Sequence, residues 1–235
     1  MKQLFSFVLL TTFAFGQEFY SMVYPIKTFS VKSSVSGEVV FVDKALEKSF
    51  VKNKTIIKLD DSIDSVDLVQ TKIKLNNLKE IKAIEDETLE SYNKVSSKTK
   101  IERDNQKIKV LNMGTSIADL EVKKATLENN IQKKNVVLKN LYLSSIEVEV
   151  GDFINAGGLL YKAYDLSKGK LEIFIPIKEA NNFKKKTIYL DGKKTNLKIN
   201  KLSLVADEKN ISSYKAEIII QNPKSFSNLI KVEFK

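Results

Sequence analysis

Histidine, cysteine and tryptophan are absent from the 235 residues of this chain, and arginine occurs once, at Arg103. Without histidine and cysteine the chain cannot build a Ser-His or Cys-His nucleophile or the common zinc sites. Paired carboxylates remain possible in principle, but no acidic cluster lies beside a glycine-rich loop or an aromatic cleft. The sequence therefore predicts a non-enzymatic protein with no catalytic, cofactor or metal site.

The basic excess of the chain consists almost entirely of lysine. Lys and Arg number 39 against 29 Asp and Glu, which gives a formal net charge of +10. Arginine is the side chain that reads guanine with a forked pair of donors, so its near absence argues against nucleic-acid binding. The richest run is Lys184–Lys186, with Lys193-Lys194 nearby. Such a run indicates either a solvated face or a surface that contacts anionic headgroups or an acidic partner.

The first residues have the pattern of an export signal. A positive Met1-Lys2 start precedes a mostly apolar segment, and Ala14-Phe15-Gly16 has the small-x-small form of a signal-peptidase site. The apolar segment of roughly 12 residues is shorter than the ~20 needed to span a bilayer, although an uncleaved anchor is an alternative. We therefore predict a signal peptide over residues 1–16 and export. The Lys-rich composition without tryptophan, and the lack of a cysteine that could carry a lipid anchor, favour the periplasm.

Glycine and proline are scarce in the middle of the chain. Between Gly37 and Gly151 the only glycine is Gly114, and no proline occurs between Pro25 and Pro176. So few helix breakers over such a length predict long helices. Apolar residues also recur there at spacings of three and four, in the heptad pattern of a coiled coil. In the second half of the segment this stripe comprises Val110, Met113, Ile117, Leu120, Lys124, Leu127 and Ile131.

The first half of the helical segment has a weaker stripe. It consists of Leu68, Leu75, Leu78, Leu89 and Tyr92, with interruptions at Thr71, Lys82 and Glu85. An offset set, made of Val66, Ile73, Ile81 and Ile84, predicts that this helix has contacts on more than one face.

We place the reversal between the two helices at Ser96–Thr99. This position gives arms of about 34 and 36 residues, each ~50 Å long, which can pair along their whole length. The alternative is a reversal at Met113–Ser116, where Ser116 and Asp119 resemble a capping box. That alternative would leave two arms of very different length.

Two strand-like segments of similar pattern, Ser36–Asp60 and Asn140–Asp165, flank the helical segment. Neither could bury its apolar face alone, so we expect the two to form one folded unit. A crossover connection needs only about a dozen residues, whereas about 75 residues separate the two segments. The helices are therefore predicted to project away from the β-unit.

These segments resemble the membrane-fusion, or periplasmic adaptor, proteins of HlyD type. The first half-motif of that family is a Ser-Gly-x-Val strand, then Gly-Asp-x-Val and a Leu-Asp that leads into the helix. Ser36–Val39 and Leu59-Asp60 match it, whereas Lys48–Val51 lacks the glycine, and the second half-motif matches Gly151–Leu159. The resemblance implies a lipoyl-like barrel-sandwich hybrid that is split by a long α-helical coiled-coil hairpin. A lipoyl or biotinyl carrier has a continuous domain with a modified lysine, so no cofactor is implied.

The last third of the chain has the pattern of short strands. Leu171–Ile175 alternates, Asp191-Gly192 is a hairpin signal, and Tyr214–Ile220 and Leu229–Phe234 complete a set consistent with a small β-barrel. The predicted fold class is mixed α and β. The predicted organisation is a signal peptide (1–16), an N-terminal segment with the first lipoyl-like half (17–61), the helical hairpin (62–134), the second lipoyl-like half (135–166) and the β-barrel domain (167–235).

The resemblance also implies a function. Such proteins join an inner-membrane transporter, of ABC or RND type, to a TolC-type outer-membrane channel in efflux or secretion, and they pack side by side as homo-oligomers. A periplasmic holdase chaperone with coiled-coil arms is the alternative, and it would need arms that enclose an apolar cavity.

The docking site implied by the resemblance is the hairpin tip. The family motif is Arg-x3-Leu-x6-Ser followed by Lys; Leu89 and Ser96 keep its spacing, but Glu85 stands at the arginine position. A simpler interpretation is that Ser and Thr only form the turn and cap the second helix. A second match, of Ser97–Glu102 to the family's segment just after the turn, chooses the next serine, so two registers one residue apart remain open. The candidate channel-binding residues from the two matches are Leu89, Ser96, Ser97, Lys98, Ile101 and Glu102.

Overall fold

The computed structural model describes residues 17–206 and 209–235, so the predicted signal peptide lies outside the described residues. The chain divides into two compact units. The helical unit is Ser30–Ala163, and the C-terminal unit comprises residues 17–29 and 164–235. The class is mixed α and β, as predicted.

Twelve strands and three α-helices make up the described part of the chain. The strands are β1 (Gln17–Met22), β2 (Tyr24–Lys32), β3 (Gly37–Val42), β4 (Ser49–Leu59), β5 (Asn135–Ile146), β6 (Phe153–Ile154), β7 (Leu159–Pro176), β8 (Ile188–Leu190), β9 (Lys193–Lys194), β10 (Ile199–Leu202), β11 (Ser213–Gln221) and β12 (Leu229–Phe234). The helices are α1 (Ser62–Lys94), α2 (Lys100–Lys134) and the short α3 (Ala180–Phe183).

The β-part of the helical unit is built from both halves of the predicted repeat. Antiparallel pairing joins β5 to β4, β4 to β3, and β3 to β6. The buried core draws on both halves, and it comprises Val39, Val51, Ile56, Ile57 and Leu59 from before the helices and Leu138, Leu143, Ile146, Val148, Leu160, Tyr161 and Ala163 from after them. The expectation that the two segments form one folded unit is therefore confirmed.

The two half-motifs contact each other directly. Gly37 lies opposite Ile154 in the β3–β6 pair. The amide of Val39 donates to the carbonyl of Asp152, and the amide of Gly151 donates to the carbonyl of Val39, both at 2.8 Å. Gly151 has a φ of +95°, in the region that favours glycine, so the turn that makes this contact depends on that residue.

The helices α1 and α2 are antiparallel and pack against each other. Lys79 Nζ lies 2.7 Å from Glu121 Oε1, and Lys134 Nζ lies 2.6 Å from Asp64 Oδ2, where both helices meet the β-part. The residues of both predicted stripes, including the interruptions at Thr71, Lys82 and Glu85, are buried or half-buried. Gly114 lies inside α2. The chain therefore reverses between Lys94 and Lys100, as predicted, and the alternative at Met113–Ser116 is wrong.

The C-terminal unit has two groups of strands around one core. One sheet has the order β1-β12-β8-β9, and β10, β11 and the end of β7 pair in that order in the other. Phe183 of α3 is 1% exposed and packs edge-to-face on Phe234, with ring centroids 4.8 Å apart. The predicted Asp191-Gly192 turn joins β8 to β9, and both of its residues have positive φ. No helix among the described residues has both the length and the apolarity required to cross a membrane.

Candidate docking site at the helix tip

The tip consists of the turn at Val95–Thr99 and the adjoining turns of α1 and α2. α1 ends at Lys94, and Val95 has an extended backbone that takes the chain out of the helix. α2 begins at Lys100, with Thr99 as its N-cap residue. The turn between the helices is therefore short and is bounded by defined helix ends.

Thr99 and Glu102 form a capping box at the start of α2. The amide of Glu102 donates to Thr99 Oγ1 (3.3 Å), and the amide of Thr99 donates to Glu102 Oε2 (2.9 Å). These two bonds satisfy backbone donors that would otherwise have no partner at a helix N-terminus. The backbone amide of Thr99, the ammonium of Lys98 and the hydroxyl of Thr99 all stabilise the carboxylate, and they lower the pKa of Glu102 from 4.5 to about 2.

Lys98 contacts both helices at the turn. Its Nζ donates to Glu102 Oε1 at 2.9 Å and lies 4.3 Å from the ring centroid of Tyr92 on α1. The bond to Glu102 raises the pKa of Lys98. The carbonyl of Lys98 accepts a hydrogen bond of 2.7 Å from the guanidinium of Arg103. Lys98 thus connects the end of α1 to the first turn of α2.

A shallow groove below the turn contains Leu89. Its volume is about 490 Å³, and Leu89 and Asn93 of α1 line it together with Arg103 and Lys107 of α2. Leu89 is half-buried. The single arginine of the chain therefore lies beside the leucine of the predicted tip motif, although it comes from the other helix.

Glu85 is occupied by contacts within the helix pair. Gln106 Nε2 donates to Glu85 Oε2 at 2.7 Å, and Lys109 forms an ion pair with the same carboxylate. Only 17% of the Glu85 side chain is exposed. These two partners, Gln106 first, lower the pKa of Glu85. The residue at the arginine position of the family motif therefore holds α1 to α2.

Five of the six predicted site residues, all except Leu89, separate into two groups. Lys98 and Glu102 contact each other and fix the shape of the turn, whereas Ser96, Ser97 and Ile101 are exposed. Ile101 is 71% exposed, which is high for so apolar a side chain. These three residues and the groove beside Leu89 are the surfaces that a partner could contact.

The sequence predicted Thr99 as part of the turn and as a possible cap of the second helix, which its N-cap position confirms, but it did not indicate Val95 or Arg103 as members of the tip. The Thr-x-x-Glu spacing of Thr99 and Glu102 is the sequence signature of a capping box and would have identified Glu102 as the partner of the cap. The position of Arg103 beside Leu89 depends on how the two helices pair, so no local pattern indicates it. In the described ranges, 17–206 and 209–235, no three acidic side chains are grouped as they would be to hold a metal ion.

Comparison with solved structures identifies the fold. The membrane fusion protein Spr0693 from Streptococcus pneumoniae R6 superposes with a TM-score of 0.71 at 10% sequence identity, over 93% of this chain and 98% of Spr0693. The chain has the membrane-fusion-protein fold. The resemblance predicted from the half-motifs is thereby confirmed at the level of fold.

Two further structures share the membrane-fusion-protein fold of this chain to different degrees. MacA from Actinobacillus actinomycetemcomitans gives a TM-score of 0.74 at 16% identity, over 94% of this chain and 78% of MacA. ZneB from Cupriavidus metallidurans gives 0.54 at 13% identity, over 93% of this chain and 97% of ZneB. No protein-family model matches the sequence, and no curated protein matches it either.

Proposed function

We propose that this protein is a non-enzymatic periplasmic adaptor that links an inner-membrane transporter, of ABC or RND type, to a TolC-type outer-membrane channel in efflux or secretion. In this proposal, residues 17–61 and 135–166 contain the halves of a lipoyl-like barrel-sandwich hybrid, residues 62–134 form a coiled-coil hairpin, and residues 167–235 form a β-barrel. The observation that carries the proposal is the insertion of α1 and α2 between two halves of one β-unit. The insertion presents an exposed tip far from the strands that support it.

Apolar side chains on the outer faces of α1 and α2 support assembly with further copies. They are exposed by 45% or more, and they comprise Ile63, Val66, Val69, Ile73, Ile81 and Ile84 on α1 and Ile108, Leu111 and Val122 on α2. The offset set predicted to make a second contact is thus largely exposed in the described chain. Stripes of this kind mark helix-packing surfaces.

The helices of a neighbouring copy of this chain are suitable partners for these stripes. If the α1 stripe of one copy packs on the α2 stripe of the next, the contact is heterologous, and repeating it closes a ring when the rotation allows. We infer that the hairpins pack side by side in this way and form a conduit between the membranes.

The tip is the proposed contact with the channel. Ser96, Ser97 and Ile101 are exposed at the turn, and Leu89 lies with Arg103 in the adjacent groove. Glu85 is bound by Gln106 and Lys109 and is therefore not available for docking. The cations that line the groove come from α2, and they are Lys100, Arg103 and Lys107. The docking mode would therefore use both helices.

The chaperone alternative gains no support from the helix pair. A holdase would need arms that enclose an apolar cavity, whereas α1 and α2 pack directly on each other. Their outer stripes are narrow and helical in spacing, which suits another helix better than an unfolded chain.

Site-specific photo-cross-linking in intact cells tests the proposal. A photoreactive residue at position 101 should give a product with an outer-membrane channel, because Ile101 is exposed at the tip. The matched position is 122, since Val122 is 68% exposed on the same helix but farther from the turn, and it should give products between copies of this chain. Recovery of neither a channel from position 101 nor a transporter from the C-terminal unit would overturn the adaptor proposal.

A further inference from the structure

A concave surface of the C-terminal unit is lined by five lysines, and none of its described lining residues is acidic. Its volume is about 390 Å³, and it lies between the end of α3 and the segment that begins at β9. We call it the lysine cavity, and its lysines are Lys184, Lys185, Lys186, Lys194 and Lys198. The two lysine runs noted in the sequence thus contribute to one surface.

The backbone around the lysine cavity is fixed by the core of the unit. Phe183 directly precedes the first run and is almost fully buried. Thr187 follows that run and exchanges two backbone hydrogen bonds with Lys235, at 2.8 and 3.1 Å. Thr195 Oγ1 donates to the carbonyl of Ile188 at 2.8 Å. The five lysines are therefore exposed side chains on an ordered frame.

None of the five lysines takes part in an ion pair with a described residue. Other lysines of the same unit do: Lys231 pairs with Glu18 and Glu233, and Lys170 pairs with Glu172. The nearest comparable contact in the cavity is that of Lys186 Nζ, which lies 4.9 Å from the ring centroid of Phe183. Like charges held together without counter-charges repel each other, so an anionic partner would be attracted to this surface.

The composition of the lysine cavity favours a membrane over a protein partner. Lysine is depleted from protein–protein interfaces, whereas lysine supplies all five charged side chains of this surface. A lysine ammonium is a compact charge that needs no fixed acceptor geometry, which suits mobile phosphate headgroups. Clusters of about four to eight basic residues are typical of surfaces attracted to anionic bilayers.

We propose that the lysine cavity binds the phosphate headgroups of anionic phospholipids at a bilayer surface, and so holds the C-terminal unit at the membrane. The contact is electrostatic, because the one apolar lining residue, Leu197, is half-buried and packs on the core. This binding requires neither a transporter nor a channel, so it goes beyond the adaptor function and can be tested without either.

Vesicle co-sedimentation of the purified exported chain tests the proposal. The protein should pellet with phosphatidylcholine vesicles that contain phosphatidylglycerol and stay in solution with phosphatidylcholine alone. Added NaCl should release it, because salt screens exposed charges. Since a lysine near an anionic surface changes partitioning by roughly fivefold, a variant with Lys184→Gln, Lys186→Gln and Lys194→Gln should bind roughly a hundredfold more weakly.

The matched control carries Lys74→Gln, Lys123→Gln and Lys133→Gln. These lysines are exposed on α1 and α2 and form no ion pair with a described residue, so the change in net charge is the same. The control should bind like the unmodified chain, and Lys→Arg changes at the cavity positions should preserve binding. Unfolding curves report whether each variant is folded.

Three results would overturn the proposal. One is equal binding to neutral and anionic vesicles, and another is an equal loss of binding in the cavity variant and in the control. The third is release by inorganic phosphate far below the ionic strength at which NaCl acts, which would indicate a site for soluble phosphate. None of these three results bears on the adaptor proposal, because that proposal is tested by cross-linking from position 101, which does not involve the lysine cavity.

Discussion

Lys48 has a left-handed backbone conformation, with a φ of +57°, in the turn before β4. Its amide donates to the carbonyl of Leu143 at 2.8 Å, which holds the turn on the second half of the β-unit. This conformation costs a residue with a Cβ atom roughly 1–2 kcal/mol. Lys48 is also the position at which the first half-motif of the family has glycine. Lysine therefore makes this turn in a backbone conformation that favours glycine.

Replacing Lys48 with glycine should stabilise the chain. The substitution removes the backbone strain, and the greater freedom of glycine in the unfolded state offsets part of the gain, so we expect roughly 0.5–1 kcal/mol. Urea unfolding measures the change. Lys52→Gly is the matched control, because Lys52 lies within the strand β4, where glycine should destabilise by a similar amount. A loss of stability in both variants would contradict the prediction.

At the scale of the element, the heptad pattern predicted which faces of α1 and α2 meet. It did so even at Thr71, Lys82 and Glu85, because the repeat is set by helix geometry rather than by apolarity at every position. The partners of Glu85 could not be predicted in this way. They depend on the axial alignment of two helices, and a stripe on each helix separately leaves that alignment open.

The capping box of α2 should give the tip a measurable pH dependence. The folded pKa of Glu102 is about 2, below its ordinary 4.5, so its contribution to stability is present above that ordinary value. The contribution is lost as pH falls from 4.5 toward 2, and the first turn of α2 should fray in that window. An NMR titration of the Glu102 carboxyl measures the pKa.

Two threonine variants test whether the pKa of Glu102 depends on the capping box or on any change within α2. Thr99→Ala removes a hydroxyl bonded to Glu102 and should raise the pKa of that carboxyl. Thr115→Ala removes a hydroxyl that bonds only to the carbonyl of Leu111, so the Glu102 titration should not move. An unchanged pKa in Thr99→Ala would show that the capping box does not act on the carboxylate.

At the scale of the whole molecule, the sequence indicated that helices interrupt one β-unit, because two similar strand-like segments flank the helical segment. The pairing of β1 with β12 was not, although it joins residues Gln17–Met22 to Leu229–Phe234. Short strands carry little information about their partners, and a partner more than 200 residues away leaves no local trace. The tip was predicted in position but not in its contacts, for the same reason.

The outer stripes of the helices should control self-association. Ile73→Glu on α1 and Leu111→Glu on α2 each place a charge in the proposed contact between copies and should weaken it by about 2–3 kcal/mol. Sedimentation velocity measures the association. Ile211→Glu is the control, because Ile211 is 79% exposed in the C-terminal unit and lies outside both stripes. Equal association in all three variants would exclude the stripes as the contact.

Ion pairs at three positions along the helix pair favour one axial alignment of α1 with α2. Lys72 pairs with Glu128, Lys79 with Glu121, and Glu85 with Lys109. A slip of one heptad would displace the helices by about 10 Å and break all three contacts, leaving the half-buried Glu85 carboxylate without its cation. The two helices, of 33 and 35 residues, therefore keep a constant axial alignment, and the length of the pair does not vary. Whatever binds at the tip is held at one set distance from the strands at the other end.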